Sequence, residues 1–314
     1  MQNGTIVDHS EATLQQLGFV GLGTMGFPIC RNLAQSGVRV VAYDLYPLPD
    51  RVATLRDVGV RVVERLSDVG EACELLVAVL PDSDASEQVF LDCGLLERMR
   101  PGALCVDMTS GYPRTTIRMG KALAERGIRL VDSPICGGGA IGAEAGKLTV
   151  CVGGEPTDVA EVRALLEPVI SQFFHVGPLG SGHAMKILNN YFGFVYSAAI
   201  AEGLALGVAY GFDLKAMVSV LQKCSAGNQI FNRQAEVLAE PPPDKVGFQL
   251  KLATKDLRYA SALAGELREP LVTGQAAHSL YELATLIMGP GVEAHQGVWR
   301  LLEHIHGMER GLDA

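Results

Sequence analysis

Ten residues, Leu17-Gly18-Phe19-Val20-Gly21-Leu22-Gly23-Thr24-Met25-Gly26, constrain this chain more than any others. An apolar run enters a Gly-x-Gly-x-x-Gly turn, and Phe27 to Gln35 then reads as a helix start. The glycines have separate tasks. Gly21 allows the tight turn, Gly23 lets backbone approach a pyrophosphate, and Gly26 lets helix and strand pack closely. The phosphates then sit at a helix N-terminus, where N–H groups and the dipole favour anions. In a chain with 36 glycines such a turn also arises in other α/β proteins, so its context decides. Val38 to Asp44 supplies a second apolar strand that ends in an acid, 18 residues past Gly26, where a ribose-binding carboxylate belongs. The expectation is a dinucleotide turn made by Gly21, Leu22, Gly23, Thr24, Met25 and Gly26, with Asp44 on the ribose. Asp44 accepts from both ribose hydroxyls of NAD and repels the 2′-phosphate of NADP. Leu45-Tyr46-Pro47 offers no cation against that repulsion, although Arg51 is placed to fold back. NAD is therefore expected in preference to NADP.

Short apolar runs alternate with helical patterns up to residue 176. Leu75 to Leu80, Ala103 to Asp107, Ile128 to Val131, Leu148 to Val152 and Phe173 to Val176 read as strands. Leu48 to Val58, Ser83 to Leu91, Pro113 to Arg126 and Glu155 to Ser171 read as helices. From His183 onward there are only helical patterns: Ala184 to Ala209, Leu214 to Gln222, Ala253 to Leu267, Leu271 to Ile287 and Val298 to Ile305, with a loop at Pro241-Pro242-Pro243. The expected fold class is α/β, a Rossmann-type doubly wound, mostly parallel sheet followed by a second, all-helical domain. The expected division is a polar tail 1–15, a cofactor domain 16–178 and a helical substrate and dimerisation domain 179–314.

A formal net charge of -9 disfavours nucleic acid and anionic membranes as partners. The polar N-terminus has no basic start and no apolar core, so it does not read as a signal peptide. Val195 to Val208 is apolar but broken by Glu202, and reads as a buried helix rather than a membrane span. Seven scattered cysteines without Cys-x-x-Cys read as free thiols in the cytoplasm. His304 and His306 are two apart and point in different directions on a helix, so no metal site is expected.

Four stretches carry candidate chemistry. Lys186 follows Gly180-Ser181-Gly182 among Ala184, Met185, Ile187 and Leu188. Apolar surroundings lower a lysine pKa towards working pH, and Asn190, four residues on, shares its helical face. A snorkelling lysine at a helix start is the alternative. Glu202 is about 24 Å away along a straight helix and is expected as a buried acid paired elsewhere. Asp132-Ser133-Pro134-Ile135-Cys136-Gly137-Gly138-Gly139 follows a strand, and its glycine N–H groups can hold a carboxylate or serve as a hinge. In Asp107-Met108-Thr109-Ser110-Gly111-Tyr112-Pro113 the hydroxyls can touch the cofactor or cap the following helix. Lys255-Asp256, with Phe248 upstream, has the pattern of a solvated surface pair.

Taken together, the glycine turn, Asp132-Ser133-Pro134 with its glycines, Gly182 to Asn190 and Lys255-Asp256-Leu257 resemble the motifs of the β-hydroxyacid dehydrogenases, the group of 3-hydroxyisobutyrate dehydrogenase and tartronate semialdehyde reductase. The resemblance spans about residues 17–300, in the family's order. It implies reversible oxidation of a small 3-hydroxy acid by NAD or NADP, and a homodimer or homotetramer. It puts Lys186 on the catalytic lysine and Asn190 on the substrate-holding asparagine. Leu80, Pro81 and Ser110 fall on cofactor-contacting positions, and Lys255 on a lysine near the cofactor. It assigns the substrate carboxylate to Cys136, Gly137, Gly138 and Gly139. Here the chain departs from the family, which usually has a serine where Cys136 stands, and a third glycine lengthens the loop. A thiol is a weaker donor than a hydroxyl. The substrate is thus left open, whereas the cofactor site is untouched. Reduction of another carbonyl or an imine on the same fold, or a dinucleotide sensor without turnover, are the competing functions; the retained Lys186 and Asn190 argue against the sensor.

Overall fold

The computed structural model describes residues 16–95, 97–239 and 248–305. The expected tail 1–15, the Pro241–Pro243 loop and His306 lie outside the described residues. Described residues up to Ala184 pack as one compact unit, and those from Met185 on as a second.

In the first unit β1 (Leu17–Val20), β2 (Val40–Tyr43), β3 (Arg61–Val62), β4 (Leu75–Ala78), β5 (Leu104–Asp107) and β6 (Arg129–Asp132) run parallel in the order β3-β2-β1-β4-β5-β6. This is the doubly wound order, and it reverses between β1 and β4, where such sheets bind ligands. β7 (Ile135–Gly137) pairs antiparallel with β8 (Leu148–Gly153), which also meets β6 antiparallel and β9 (Ile170–Gly177) in parallel. Alternate residues serve opposite faces, as strand geometry requires. Leu17, Phe19, Val40, Ala42, Val77 and Val106 enter one core. Val20, Val41, Leu76, Ala78 and Cys105 enter the other. The connecting helices are α1 (Gly26–Gln35), α2 (Pro49–Asp57), α3 (Ser67–Ala72), α4 (Ser83–Glu87), α5 (Pro113–Ala124), α6 (Gly139–Glu144) and α7 (Pro156–Leu166). Proline opens α2, α5 and α7, where its missing N–H costs nothing.

Two helices stop four or five residues short of their expected ends. α7 ends at Leu166 rather than Ser171, because Pro168 cannot continue the ladder. A 3₁₀ turn at Glu167–Val169 follows, and β9 starts at Ile170, ahead of the expected Phe173. α4 gives way at Gln88 to a π-helical turn, Gln88–Asp92.

The second unit is all-helical among the described residues: α8 (Ser181–Tyr210, whose first turn belongs to the first unit), α9 (Leu214–Leu221), α10 (Gln229–Ala239), α11 (Leu250–Leu267), α12 (Val272–Met288) and α13 (Ala294–Ile305). Its core takes Phe194, Ala198, Ala201 and Leu204 from α8, and Phe231, Leu257, Tyr281 and Trp299 from its neighbours. By length and composition alone α8 passes for a membrane span. Its inner stripe nevertheless packs in this core. The expectation of a buried helix over Val195 to Val208 is corrected in part: Tyr196 and Leu206 are exposed, on the same outer side of α8 as Met185, Leu188, Phe192 and Tyr210. So is Glu202, expected as a buried acid. An apolar sequence does not say how many sides of a helix have neighbours.

The root of α8 is tied to the sheet. Asp132, fully buried at the tip of β6, accepts the Gly180 N–H at 2.7 Å through one carboxylate oxygen and the His183 N–H at 2.7 Å through the other. Burial pushes its carboxyl pKa up, while His183 and these two bonds pull it back. These bonds pack the first turn of α8 with the sheet. Asp132→Asn offers an NH₂ where one of the two N–H groups needs an acceptor. The variant is expected to lose about 1–3 kcal/mol of stability, read as an earlier denaturation midpoint.

Candidate active site

The glycine turn has the shape its sequence predicts. Gly21 has φ +97°, and a Cβ there would overlap the Val79 carbonyl oxygen. A Cβ on Gly26 would overlap the Gly21 carbonyl oxygen, so α1 and the turn touch backbone to backbone. Gly23 is exposed, and a Cβ on it would meet nothing within 4 Å. The backbone there is open to an approaching group, beside the start of α1. Thr24 is exposed next to it, with Leu22 buried and Met25 partly buried. Asp44 follows β2; its carboxylate accepts the Leu22 N–H at 2.5 Å and the Tyr46 N–H at 2.7 Å. An open glycine backbone at a helix start and a fixed carboxylate fit a dinucleotide's phosphates and ribose. Arg51 does fold back: its guanidinium donates to the Leu22 carbonyl at 2.8 Å and lies 5.4 Å over the Phe27 ring.

The tips of β4 and β5 are joined by hydroxyls. Thr109, 1% exposed, accepts the Leu80 N–H at 3.1 Å and lies 3.1 Å from the Ser86 hydroxyl. Its own N–H donates to Asp107, and the Tyr112 N–H donates to Ser83. These bonds set the backbone at Leu80, Pro81 and Ser110. The capping alternative is not observed, since α5 has no side-chain cap.

The glycine-rich segment is more structured than a bare loop. Cys136 and Gly137 are partly buried in β7. Gly138 and Gly139 are exposed, with φ of +94° and +55°, and α6 begins at Gly139. A Cβ on Gly138 would stand 2.9 Å from the Lys147 carbonyl oxygen. Turn geometry and space thus both require glycine at 138.

In the second unit, Lys186 is partly buried on α8, and Asn190, 8% exposed, is one helical turn further. The expected apolar surroundings are only in part realised. Ile187 is buried, whereas Met185 and Leu188 are exposed. Asn190 accepts from Asn189 at 3.0 Å and donates to Asp256 at 2.5 Å. The other Asp256 oxygen lies 3.3 Å from the Lys255 ammonium, which stands 5.3 Å over the Tyr259 ring. The surface-pair expectation for Lys255-Asp256 is corrected: they are 9% and 3% exposed. Asp256 was not among the expected site residues. Its signal was available, since position 256 shares the apolar stripe of Ala253, Leu257 and Ala260 on α11.

Residues 16–177 match the family described as the NAD binding domain of 6-phosphogluconate dehydrogenase. Residues 180–302 match the family described as the NAD-binding of NADP-dependent 3-hydroxyisobutyrate dehydrogenase. The chain is 32% identical over 277 residues to the NAD-dependent L-serine dehydrogenase of Pseudomonas aeruginosa, covering 86% of this chain and 92% of that one. It is 33% identical over 294 residues to the 2-(hydroxymethyl)glutarate dehydrogenase of Eubacterium barkeri, covering 93% and 96%. A solved structure of Mycobacterium tuberculosis 3-hydroxyisobutyrate dehydrogenase with L-serine has the same fold, with a TM-score of 0.81 at 24% identity over 92% of this chain and 99% of that one.

Asp256 meets both the Asn190 amide and the Lys255 ammonium, and removing one partner of a buried ion pair is strongly destabilising. Asp256→Ala is therefore expected to destabilise the second unit by about 3–5 kcal/mol, read in urea unfolding followed at Trp299. An unchanged midpoint would mean that Asp256 neutralises nothing there.

Proposed function

The chain belongs to the β-hydroxyacid dehydrogenase family, and we infer that it reversibly oxidises the primary hydroxyl of a small 2-(hydroxymethyl) carboxylic acid with NAD. Oxidation of a 3-hydroxy acid is the activity its relatives' names share, and the L-serine enzyme among them is named as NAD-dependent. L-serine, 2-(hydroxymethyl)glutarate and 3-hydroxyisobutyrate, named in those relatives, all carry CH₂OH on the carbon next to a carboxylate. The observation that carries the assignment of roles is the Asn190 amide, fixed by buried Asp256 one helical turn from Lys186.

NAD, when bound, would supply the acceptor for the hydride of the carbinol carbon. Gly21, Leu22, Gly23, Thr24, Met25 and Gly26 would hold its phosphates, Asp44 would hold its ribose, and Leu80, Pro81, Ser110 and Lys255 would contact the rest of it. Neutral Lys186 takes the hydroxyl proton as the carbonyl forms, and the lysine ammonium returns it in reduction. Asn190 orients that oxygen. The backbone of Cys136, Gly137, Gly138 and Gly139 holds the carboxylate. Seven free thiols suit a cytoplasmic enzyme. The exposed stripe on α8 suits a homodimer or homotetramer in which a second copy covers it.

If Lys186 moves the proton, Lys186→Ala lowers kcat by about 10² to 10⁴ while the Kd for NAD stays within about twofold. Lys186→Arg does not restore it, because a guanidinium stays charged and cannot act as the base. Asn190→Ala falls between. A Lys186→Ala enzyme with wild-type kcat and pH profile would falsify this assignment.

The cofactor preference rests on Asp44. Like charges brought together cost several kcal/mol, so kcat/KM is expected to favour NAD over NADP by on the order of tenfold or more. Arg51, folded onto Leu22, brings a cation to the same turn. Arg51→Ala should therefore widen the preference. An enzyme that favours NADP overturns the role given to Asp44.

A further inference from the structure

Helix α6 has six residues, two of them glycine, and a helix that short does not hold its own shape in water. Its C-terminal end is nevertheless held. Asn32, on α1, donates from Nδ2 to the Ala143 carbonyl at 2.9 Å and to the Glu144 carbonyl at 3.3 Å. The last carbonyls of a helix have no partner within it, and one amide here serves two of them. The neighbouring Arg31 guanidinium donates to Asn32 Oδ1 at 3.2 Å and pairs with the Glu144 carboxylate at 2.8 Å. A guanidinium only donates and a carbonyl only accepts, so both ends of the Asn32 amide are fixed in one orientation. The Arg31–Glu144 pair is partly exposed and adds little by itself. The amide is the group that reaches the α6 backbone at two carbonyls.

This link joins two segments with different tasks. α1 begins at Gly26, in the cofactor turn, and α6 continues directly from the Cys136–Gly139 segment. We propose that Asn32, oriented by Arg31, is a positioning residue for the substrate: it locks the Cys136–Gly139 backbone in register with the helix that receives the cofactor phosphates. Asn32 touches neither ligand and acts through α6. The inference rests on the role proposed above for the Cys136–Gly139 backbone, and the test separates the two.

Four variants of the full chain are compared: Asn32→Ala, Asn32→Asp, Arg31→Ala and Gly138→Val. Asn32→Asp keeps the shape of the side chain but sets an acceptor against two carbonyls. A role in packing alone would survive it, and the positioning role would not. Amide hydrogen exchange of Ala143 to Lys147 should quicken by about tenfold or more in both Asn32 variants, as local opening becomes easier. KM for 3-hydroxyisobutyrate or L-serine, whichever the wild type turns over faster, should rise by about tenfold, with saturating kcat within about threefold and the Kd for NAD within about twofold. Arg31→Ala should give a smaller rise in KM. The unchanged Kd also establishes that the variants are folded. Unaltered exchange at Ala143 to Lys147 overturns the link itself. Faster exchange with wild-type KM overturns the positioning role. If Gly138→Val also keeps its KM, the fault lies with the carboxylate site, because the backbone said to hold the substrate has then been disturbed without effect.

Discussion

Two backbone N–H groups meet one buried carboxylate at the tip of β6, and the start of α8 depends on that meeting. A helix begins with N–H groups that lack partners, and burying them unsatisfied is costly. Asp132 supplies both acceptors from a neighbouring strand, with a negative charge at the positive end of the helix. The bonds reach Gly180 and His183, so the first turn of α8 packs with the sheet. Lys186 and Asn190 follow on the same helix within two turns. A carboxylate that burial disfavours is retained because it gives a thirty-residue helix a fixed starting point.

The sheet and its cofactor turn could be read from the sequence because their constraints are local. Gly26 has to be glycine because the Gly21 carbonyl lies where its Cβ would go, and a spacing of five residues encodes that contact. Strands buried on both faces are continuous apolar runs, as at Leu75 to Ala78. α10 and the short elements β3, β7, α3 and α6 left no comparable trace. Over two to six residues β3, β7, α3 and α6 show no period, and their pairing partners decide them. The helical unit hid more. Glu202 and Asp256 are both acids on apolar helices, yet one faces outward and the other is buried against Asn190. Local pattern assigns a residue to a side of its helix. Which side acquires a neighbour is settled by helices far away in the chain.

The candidate site divides in the same way. Gly21, Gly23, Gly26 and Asp44 follow from the chemistry of a dinucleotide, and Lys186 with Asn190 from the four-residue period of a helix. The groups that orient them, Asp256 for Asn190 and Thr109 for Leu80, come from distant segments. Their sequence neighbourhoods look like ordinary helix and turn. Arg51 stands between these cases: its fold-back onto Leu22 was open to anticipation as a possibility, and the Phe27 ring beneath it helps to fix it.

The hydroxyl links at the tips of β4 and β5 bear on the thermodynamics of ligand exchange. Thr109 receives Leu80 and meets Ser86, and Ser83 receives Tyr112, all within the protein. The conformational entropy of these two turns is therefore lost when the chain folds and not when a ligand arrives. A surface ordered in advance needs few new contacts to bind. It also gains little further order from them, so a dinucleotide held at these turns, as proposed above, would leave without their having to melt.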